Sequence, residues 1–339
     1  MTARATAIAA FLAHAGWAEA TRRPLARDAS FRQYDRLDLD GRRAVLMDAP
    51  PEHEDVRPFM AVARHLLDLG LSAPRILAAD IPAGLLLLED LGDTSFNRRI
   101  AETPGEETRL YEAAVDLLAR LHTEPAPARL PVDAAQAFDV PDYDAGLLET
   151  EADLLPQWYL PALTGAHDPA RLDDWRALWR PLFPLLWPDR PVFVLRDYHA
   201  DNLMWLADRA GLARLGLLDF QDATRGHPAY DLVSLLQDAR RDVPPDLERA
   251  MIRRYLDASG ADEAAFRRAY KLLGAQRNAK IVGIFTRLWK RDGKPHYLAL
   301  IPRVWGLLER NLDLPELAEL KAWLDGAVPA DARRRVPNG

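Results

Sequence analysis

The sequence predicts an α+β fold in two lobes, a small lobe with an antiparallel sheet and a large lobe that is mostly helical. Up to about residue 90, short runs alternate apolar and polar residues as strands do, and after Asp93 the apolar spacing is helical. The chain of 339 residues is also long for one compact core. We therefore expect an N-terminal lobe over residues 1–91 and a C-terminal lobe over residues 92–339.

The predicted small lobe contains two helices and four strands. Turn residues Asp40-Gly41 join the first two strands into a hairpin, and Pro50-Pro51 precedes the second helix. In chain order, the predicted elements cover residues 3–19, 31–39, 43–47, 55–69, 76–78 and 84–88.

The predicted large lobe is helical apart from two short apolar runs, 192–195 and 215–218, which predict strands. A stretch rich in Pro and Asp, 124–170, predicts an irregular connection or an insertion that faces the substrate. The predicted helices cover residues 106–122, 171–186, 227–239, 246–258, 262–290 and 315–325.

Composition narrows the classes of function. The net charge of -7 argues against general nucleic-acid binding. The chain has no cysteine, which excludes disulfides and thiolate metal sites and fits a cytoplasmic protein. No apolar run reaches the ~20 residues of a membrane span. The short apolar run that follows Arg4 predicts an amphipathic helix rather than a signal peptide. The oligomeric state stays open.

The strongest chemical signal is an acid–amide–acid set in the second half of the chain. An apolar strand leads into Asp197-x-x-x-x-Asn202, and a second apolar strand leads into Asp219-Phe220. Phosphoryl transfer needs a carboxylate at the acceptor hydroxyl and oxygen ligands for Mg²⁺. We interpret Asp197 as the catalytic residue and Asn202 and Asp219 as metal ligands. The alternative is that all three are turn or cap residues at strand ends.

The segment 192–240 resembles the aminoglycoside-phosphotransferase-type kinases, which are distant relatives of the protein kinases. Those enzymes carry His-Gly-Asp-x-x-x-x-Asn, then a metal-binding Asp and a later Gly-x-x-x-x-Asp-Leu. Here Leu195-Arg196-Asp197 replaces His-Gly-Asp, whereas Gly226 and Asp231-Leu232 keep the later motif. The resemblance implies a two-lobed, protein-kinase-like fold and the use of ATP and Mg²⁺.

Within that family, the chain is most similar to the anomeric N-acetylmuramate/N-acetylglucosamine kinases of bacterial cell-wall recycling. Such enzymes phosphorylate the 1-hydroxyl of an amino sugar with ATP, and the similarity implies a role in peptidoglycan recycling. Other interpretations of the sequence stay open: the protein could be a kinase of an aminoglycoside, choline, homoserine or similar alcohol, or a nucleotide-binding regulator without catalysis. The similarity rests on Asp28-Ala-Ser30-Phe31-Arg32, Met47-Asp-Ala-Pro-Pro51, Leu195-Arg-Asp-Tyr-His-Ala-Asp-Asn202, Asp219-Phe-Gln-Asp-Ala223 and Asp292-Gly-Lys294.

The nucleotide site predicted for the small lobe is unusual because its phosphate loop contains no glycine. Backbone N–H groups, the Ser30 hydroxyl and Arg32 could hold phosphate oxygens, with Phe31 and Gln33 beside them. The alternative is an ordinary turn. Adenine should contact the main chain of Glu89 and Leu91 where the small lobe ends.

The small lobe also lacks the phosphate-binding lysine that kinases carry on the second strand, since the first lysine of the chain is Lys271. Met47 takes that position. Arg32 or Arg43 could substitute, the phosphates could be bound differently, or the chain could be a degraded kinase. Glu52 or Glu54 could pair with a substituting arginine, or could be a solvated acid at a helix start.

Residues 271–303 are strongly basic, with eight Lys or Arg residues against one acid, Asp292. This charge suits a neutral or anionic acceptor, such as a sugar with a lactyl carboxylate, better than a cationic aminoglycoside. The alternative is a solvated helix face. Arg277 and Lys280 are the candidates to contact the acceptor.

Polar residues beside the catalytic aspartates are candidates to bind sugar hydroxyls, namely His199, Asp222 and Arg225. Asp231 is expected to brace the catalytic loop through hydrogen bonds rather than to touch substrate.

Overall fold

The computed structural model describes residues 2–25 and 31–336, which form two compact units. The first unit comprises Met1–Ala113, Pro127–Val140 and Ala200–Ala223, and the second comprises Ala114–Ala126, Pro141–His199 and Thr224–Gly339. Each unit therefore combines segments that lie far apart in the sequence. The lobe boundary at residue 91 stays a prediction.

The described strands and helices are as follows. The strands are β1 Thr21–Pro24, β2 Gln33–Leu39, β3 Arg42–Asp48, β4 Ile76–Asp80, β5 Leu85–Glu89, β6 Arg129–Pro131, β7 Ala137–Asp139, β8 Val192–Val194, β9 Leu203–Trp205, β10 Leu215–Leu217 and β11 Thr224–Gly226. The α-helices are α1 Ala3–His14, α2 Arg57–Asp68, α3 Phe96–Glu102, α4 Glu107–Leu121, α5 Ala145–Ala152, α6 Leu160–Thr164, α7 Pro169–Trp179, α8 Ala229–Leu236, α9 Pro245–Ser259, α10 Glu263–Asp292, α11 Ile301–Asn311, α12 Ala318–Ala327 and α13 Ala330–Arg333. A π-helical turn covers Leu155–Tyr159.

The first unit is built on an antiparallel five-stranded sheet in the order β1-β2-β3-β5-β4. The hairpin between β2 and β3 is confirmed, with Leu39 paired to Arg42 across the turn. Asp40 and Gly41 have φ angles of 50° and 77°, the two left-handed residues that a tight hairpin turn requires. The edge strand β1 was not predicted, because its sequence Thr-Arg-Arg-Pro lacks apolar alternation.

One face of this sheet packs against α1. Apolar side chains of the helix, the sheet and the loop between them form one buried core. Its buried members are Ile8, Phe11, Leu12, Trp17, Leu37, Ala44, Leu46, Leu85 and Leu87. The amphipathic helix predicted at the start of the chain is therefore confirmed.

A second hairpin of the first unit comes from the segment that returns after residue 200. Strand β9 pairs antiparallel with β10, and Leu203 lies opposite Leu217. Gly216 lets this hairpin approach the end of the sheet, because an added Cβ would lie 2.9 Å from Leu91 Cδ1. The hairpin places Asn202 directly before one strand and Asp219 shortly after the other.

The second unit is mostly helical, and its longest element is α10, with 30 residues. Gly283 of α10 packs so closely on the chain before the π-helical turn that an added Cβ would lie 2.3 Å from the Leu154 carbonyl carbon. The short antiparallel pair of β8 and β11 lies in this unit, with Val194 opposite Thr224. None of the helices in the described ranges combines the length and the apolar character needed to cross a bilayer.

The stretch 124–170 differs from its prediction of an irregular connection. It contains the β6–β7 hairpin, α5, the π-helical turn and α6. Proline conceals this structure in the sequence, since Pro156 and Pro161 lie in the first turns of helical segments, where a missing N–H costs nothing.

Candidate active site

The first unit contains a cavity of about 400 Å³. Apolar side chains from the sheet and from the second hairpin line its walls, among them Val45, Leu88, Met204 and Leu218. Charged and polar side chains from Arg32, Asn202, Asp219 and Asp222 also line it. A cavity with apolar walls and grouped polar residues suits a ligand that has a flat apolar part and an ionic part.

Arg32 lies between two carboxylates at this cavity. Its guanidinium is 3.9 Å from Glu54 and 3.6 Å from Asp219, and its side chain is 11% exposed. Burial alone would lower the pKa of Arg32, but attraction by Tyr34, Asp219, Glu54 and Asp222 outweighs it and raises the pKa. The site therefore holds a permanent positive charge. Glu54 forms this ion pair rather than being a solvated helix-start acid.

The other sequence candidates for phosphate binding are placed differently. Arg43 is exposed, forms an ion pair with Asp38 at 3.1 Å and does not line the cavity. Phe31 is 61% exposed, and its ring stacks on His53 with centroids 4.5 Å apart. Gln33 opens β2, opposite Asp48. Ser30 lies outside the described residues, as does the rest of the predicted loop before Phe31.

Met47 occupies the expected lysine position but is a core residue. It is 1% exposed and pairs with Tyr34 on one side and Leu86 on the other. Because side chains alternate along a strand, Met47 shares a face of β3 with the cavity residue Val45. The buried position accepts a thioether without the desolvation cost of an ammonium group.

Asn202 and Asp219 are joined through their hairpin. The Leu218 N–H donates to the Asn202 carbonyl at 3.0 Å, and Gln221 Nε2 donates to Asp219 Oδ1 at 2.8 Å. Asp219 has a φ of 56°, a left-handed conformation that costs a non-glycine residue of order 1–3 kcal/mol and is enriched at functional sites. The loop places an acidic side chain in the cavity at the cost of this strain.

The donor set here fits a magnesium ion that is shared with phosphates. Within residues 2–25 and 31–336, no group of three or more His, Asp or Glu side chains forms a complete metal site. Asn202 and Asp219 supply one amide and one carboxylate to the cavity. Mg²⁺ typically takes one or two protein oxygens and completes its shell with substrate phosphates and water.

Glu89 and Leu91 both line the cavity. The Glu89 carboxylate forms ion pairs with Arg209 at 2.6 Å and with Arg75 at 3.1 Å. The backbone N–H of Glu89 donates to the Arg75 carbonyl. Any contact of Glu89 with a base would therefore use its carbonyl group. The role of both residues in adenine binding stays a prediction.

Two polar residues on β2, Tyr34 and Arg36, are among the cavity residues that the sequence did not single out. Arg36 forms ion pairs with Asp90 at 2.8 Å and Asp93 at 2.7 Å, which tie β2 to the segment that follows β5. The sequence did contain a signal for both residues. Alternate residues of a strand share a face, so Tyr34 and Arg36 are expected on the same face as Arg32.

In the second unit, the loop that carries Asp197 is held by a buried carboxylate. The backbone N–H groups of Leu195 and Arg196 donate to Asp231 at 2.7 and 2.8 Å, and Asp231 is fully buried. Burial raises the pKa of Asp231 to about 7 although the two backbone donors lower it. The expected bracing hydrogen bonds are confirmed.

Asp197 itself lies among positive charges. Burial alone would raise the pKa of its carboxyl group, but attraction by Lys280, His199, Arg277 and Arg196 outweighs this effect and lowers the pKa. The carboxylate is therefore ionised at neutral pH and able to accept a hydrogen bond from a hydroxyl group.

The predicted acceptor residues divide between the units. Asp222 lines the cavity of the first unit. In the second unit, His199 contacts Arg240 at 3.3 Å, and Arg225 on β11 forms an ion pair with Asp142 at 2.5 Å.

The two basic candidates on α10 are also in the second unit. Arg277 is buried and donates to the Ser234 hydroxyl at 2.8 Å. Lys280 donates to Glu151 at 2.8 Å and to the Tyr230 hydroxyl at 3.3 Å. The basic stretch is thus not a uniform solvated face, since these two side chains are directed inward.

Glu151 is the residue of this region that was missed from the sequence. It is buried and contacted by Arg196, Lys280 and Tyr143. No local pattern distinguishes it among the 51 acidic residues. The available signal was indirect: Arg196, beside Asp197, needs a buried counter-charge.

The comparisons with known proteins agree with this geometry. The model of the phosphotransferase enzyme family matches residues 21–270. The N-acetylmuramate/N-acetylglucosamine kinase of Caulobacter vibrioides is 42% identical over an alignment of 359 positions that covers 98% of each chain. The enzyme with the same name from Pseudomonas aeruginosa is 38% identical over 93% of each chain.

Solved structures confirm the fold. A choline/ethanolamine kinase family protein from Mesorhizobium loti has a TM-score of 0.60 at 16% identity, covering 95% of this chain and 99% of that one. The ADP-bound aminoglycoside phosphotransferase APH(2'')-Ib has a TM-score of 0.55 at 15% identity, covering 85% and 92%. An antiparallel sheet in one unit and a mostly helical second unit are what the sequence predicted. This chain belongs to the phosphotransferase enzyme family.

Proposed function

We propose that this protein is an ATP-dependent sugar kinase that phosphorylates the 1-hydroxyl of N-acetylmuramate, N-acetylglucosamine or both, in cytoplasmic peptidoglycan recycling. The observation that carries the proposal is the 42% identity, over 98% of both chains, to the N-acetylmuramate/N-acetylglucosamine kinase of Caulobacter vibrioides. The positive charges around Asp197 also favour a neutral or anionic acceptor over a cationic aminoglycoside.

The first unit supplies the residues for ATP. Val45, Leu88, Met204 and Leu218 offer apolar surface for adenine, and Arg32 offers a permanent charge for the phosphates. Asn202 and Asp219 would hold Mg²⁺, which neutralises phosphate charge when bound.

The second unit supplies the base. In the proposed step, the sugar 1-hydroxyl oxygen forms a bond to the γ-phosphorus, and the bond from that phosphorus to the β,γ-bridging oxygen breaks. ADP leaves with the bond electrons, and the hydroxyl proton passes to Asp197. The lowered pKa of Asp197 suits an ionised carboxylate that orients the hydroxyl and receives its proton late.

A panel assay tests the acceptor. ADP release is measured with N-acetylmuramate, N-acetylglucosamine, choline, homoserine and kanamycin. We expect turnover with at least one of the two amino sugars, and phosphate that is lost on mild acid treatment as a glycosyl phosphate is. Turnover confined to choline, homoserine or kanamycin would refute the proposed acceptor.

Asp197→Asn tests the base. Loss of the proton acceptor should lower kcat by about 10²–10⁴-fold, the usual contribution of a general base. Affinity for ADP, measured by titration calorimetry, should stay within about twofold, because every cavity residue is unchanged. Undiminished turnover would eliminate Asp197 as the base.

A further inference from the structure

The buried carboxylate of Glu151 connects several parts of the second unit. Glu151 lies on α5 and is 7% exposed. Its Oε1 accepts hydrogen bonds from Arg196 Nη2 and, at 2.8 Å, from Lys280 Nζ, and its Oε2 accepts one from the Tyr143 hydroxyl. Lys280 also donates to Tyr230 at 3.3 Å. We call these five residues the Glu151 cluster.

Arg196 is the member of the cluster that leads to the chemistry. It directly precedes Asp197 and has a φ of 68°, a left-handed conformation that is unfavourable for residues other than glycine. The backbone angles of Arg196 determine the direction in which the chain enters Asp197. A residue in such a conformation persists only where its surroundings hold it.

Two carboxylates hold Arg196 from opposite ends of the residue. Asp231 accepts a hydrogen bond from its backbone N–H at 2.8 Å. Glu151 accepts one from its guanidinium group, which is also 5.4 Å from the centre of the Tyr143 ring. The Arg196 side chain is 16% exposed, so loss of the Glu151 carboxylate would remove an ion pair from a largely desolvated cation.

We propose that Glu151 is a positioning residue for phosphoryl transfer: it holds the Arg196 side chain, keeps the residue before Asp197 left-handed, and so directs the Asp197 carboxylate at the acceptor hydroxyl. This inference rests on the proposed function for its reaction. Glu151 itself touches neither nucleotide nor acceptor in this scheme.

A double-mutant cycle between Glu151 and Arg196 tests it. Glu151→Gln should lower kcat at least tenfold while the KM for ATP stays within twofold. Arg196→Gly should keep kcat within fivefold, because glycine adopts a positive φ without a side-chain anchor. In the Arg196→Gly background, Glu151→Gln should then change kcat by less than threefold. A turnover-dead Arg196→Gly, or an equal loss in both backgrounds, would overturn the proposal.

Asp153→Asn is the matched control. Asp153 lies two positions further along, is 3% exposed and forms an ion pair with Arg176 at 2.6 Å. Its loss should reduce stability about as much as Glu151→Gln does, yet leave kcat within twofold. If both variants lose kcat in proportion to stability, Glu151 is only structural and the proposal fails.

A measurement without acceptor separates this proposal from the proposed function. Hydrogen exchange of the Leu195 and Arg196 amides should accelerate at least tenfold in Glu151→Gln and remain near the wild-type rate in Asp153→Asn. If the wild type turns over neither amino sugar, the proposed function fails, and the exchange rates still decide the role of Glu151. Unchanged exchange in Glu151→Gln contradicts the proposal whatever the acceptor.

Discussion

The guanidinium group of Arg32 forms ion pairs with two carboxylates of the first unit, those of Glu54 and Asp219. Sequence alone left Arg32 and Arg43 as equal substitutes for the missing lysine. Their contacts separate them, because Arg43 forms its ion pair with Asp38 outside the cavity, whereas Arg32 contacts Glu54 and Asp219. Both partners of Arg32 lie far from it in the sequence, so no local pattern indicates these contacts.

Replacement of Arg32 should therefore weaken nucleotide binding. Arg32→Met removes one positive charge beside Asp219 from the cavity and should raise the Kd for ADP at least tenfold, or about 1.4 kcal/mol. Arg43→Met is the control and should change the Kd by less than twofold. Titration calorimetry of both variants checks this, and a larger loss in Arg43→Met would reverse the assignment.

The residues that the sequence singles out carry local patterns. Asp197, Asn202 and Asp219 come after apolar strands at characteristic spacing. Asp231 belongs to the Gly-x-x-x-x-Asp-Leu motif that begins at Gly226. No local pattern indicates Glu151, because its charged partners, Arg196 and Lys280, come from distant segments of the second unit. A contact made by packing leaves no periodicity in the sequence.

At the scale of elements, the long regular segments were predicted, whereas several shorter helices, α3, α5, α6 and α11, were not. The helix predicted over 262–290 is α10, and the hairpin at Asp40-Gly41 has its expected turn. Helix α11 was missed because Pro302 lies in its first turn and conceals its start. Proline at such a position is compatible with a helix, but a proline-rich stretch favours an irregular interpretation.

Helix α10 also contains Gly283, whose lack of a side chain allows close packing against Leu154. Gly283→Ala gains about 1 kcal/mol in helix propensity. Its new Cβ, however, would lie 2.3 Å from the Leu154 carbonyl carbon, so we expect a net loss of about 1–3 kcal/mol. Urea unfolding of the variant measures the free-energy change.

Gly306 on α11 provides the matched control. An added Cβ there meets nothing within 4 Å, so Gly306→Ala should stabilise by up to about 1 kcal/mol. If both substitutions shift the urea midpoint in the same direction, the close contact at Gly283 does not determine its cost.

At the scale of the whole molecule, buried histidines should make the protein sensitive to acid. Burial lowers the pKa of His122 to about 3 and that of His227 to about 4. The unfolded chain takes up these protons near pH 6.5, whereas the folded chain does not. The contribution of these two histidines to stability is therefore fully present above pH 6.5 and is lost as the pH drops toward 4.

The size of this effect can be measured. Between pH 7.5 and pH 5, each histidine should cost about 2 kcal/mol of unfolding free energy. His122→Gln should keep the hydrogen-bonding potential toward Tyr255, which His122 Nδ1 contacts at 2.8 Å. It should make the loss of unfolding free energy between pH 7.5 and pH 5 smaller by about 2 kcal/mol. Urea titrations at several pH values test this, and an unchanged slope would show that His122 is protonated in the folded state.

The first unit combines segments that lie far apart in the sequence, so it cannot be completed early in synthesis. A ribosome releases the sheet residues early, but Asn202, Met204, Leu218 and Asp219 emerge only after more than half of the chain has been translated. Until then, the apolar face formed by Val45 and Leu88 lacks the hairpin that covers it. The nascent sheet thus stays unfinished until Asp219 has been translated, and the residues proposed to bind the nucleotide are complete only from that point.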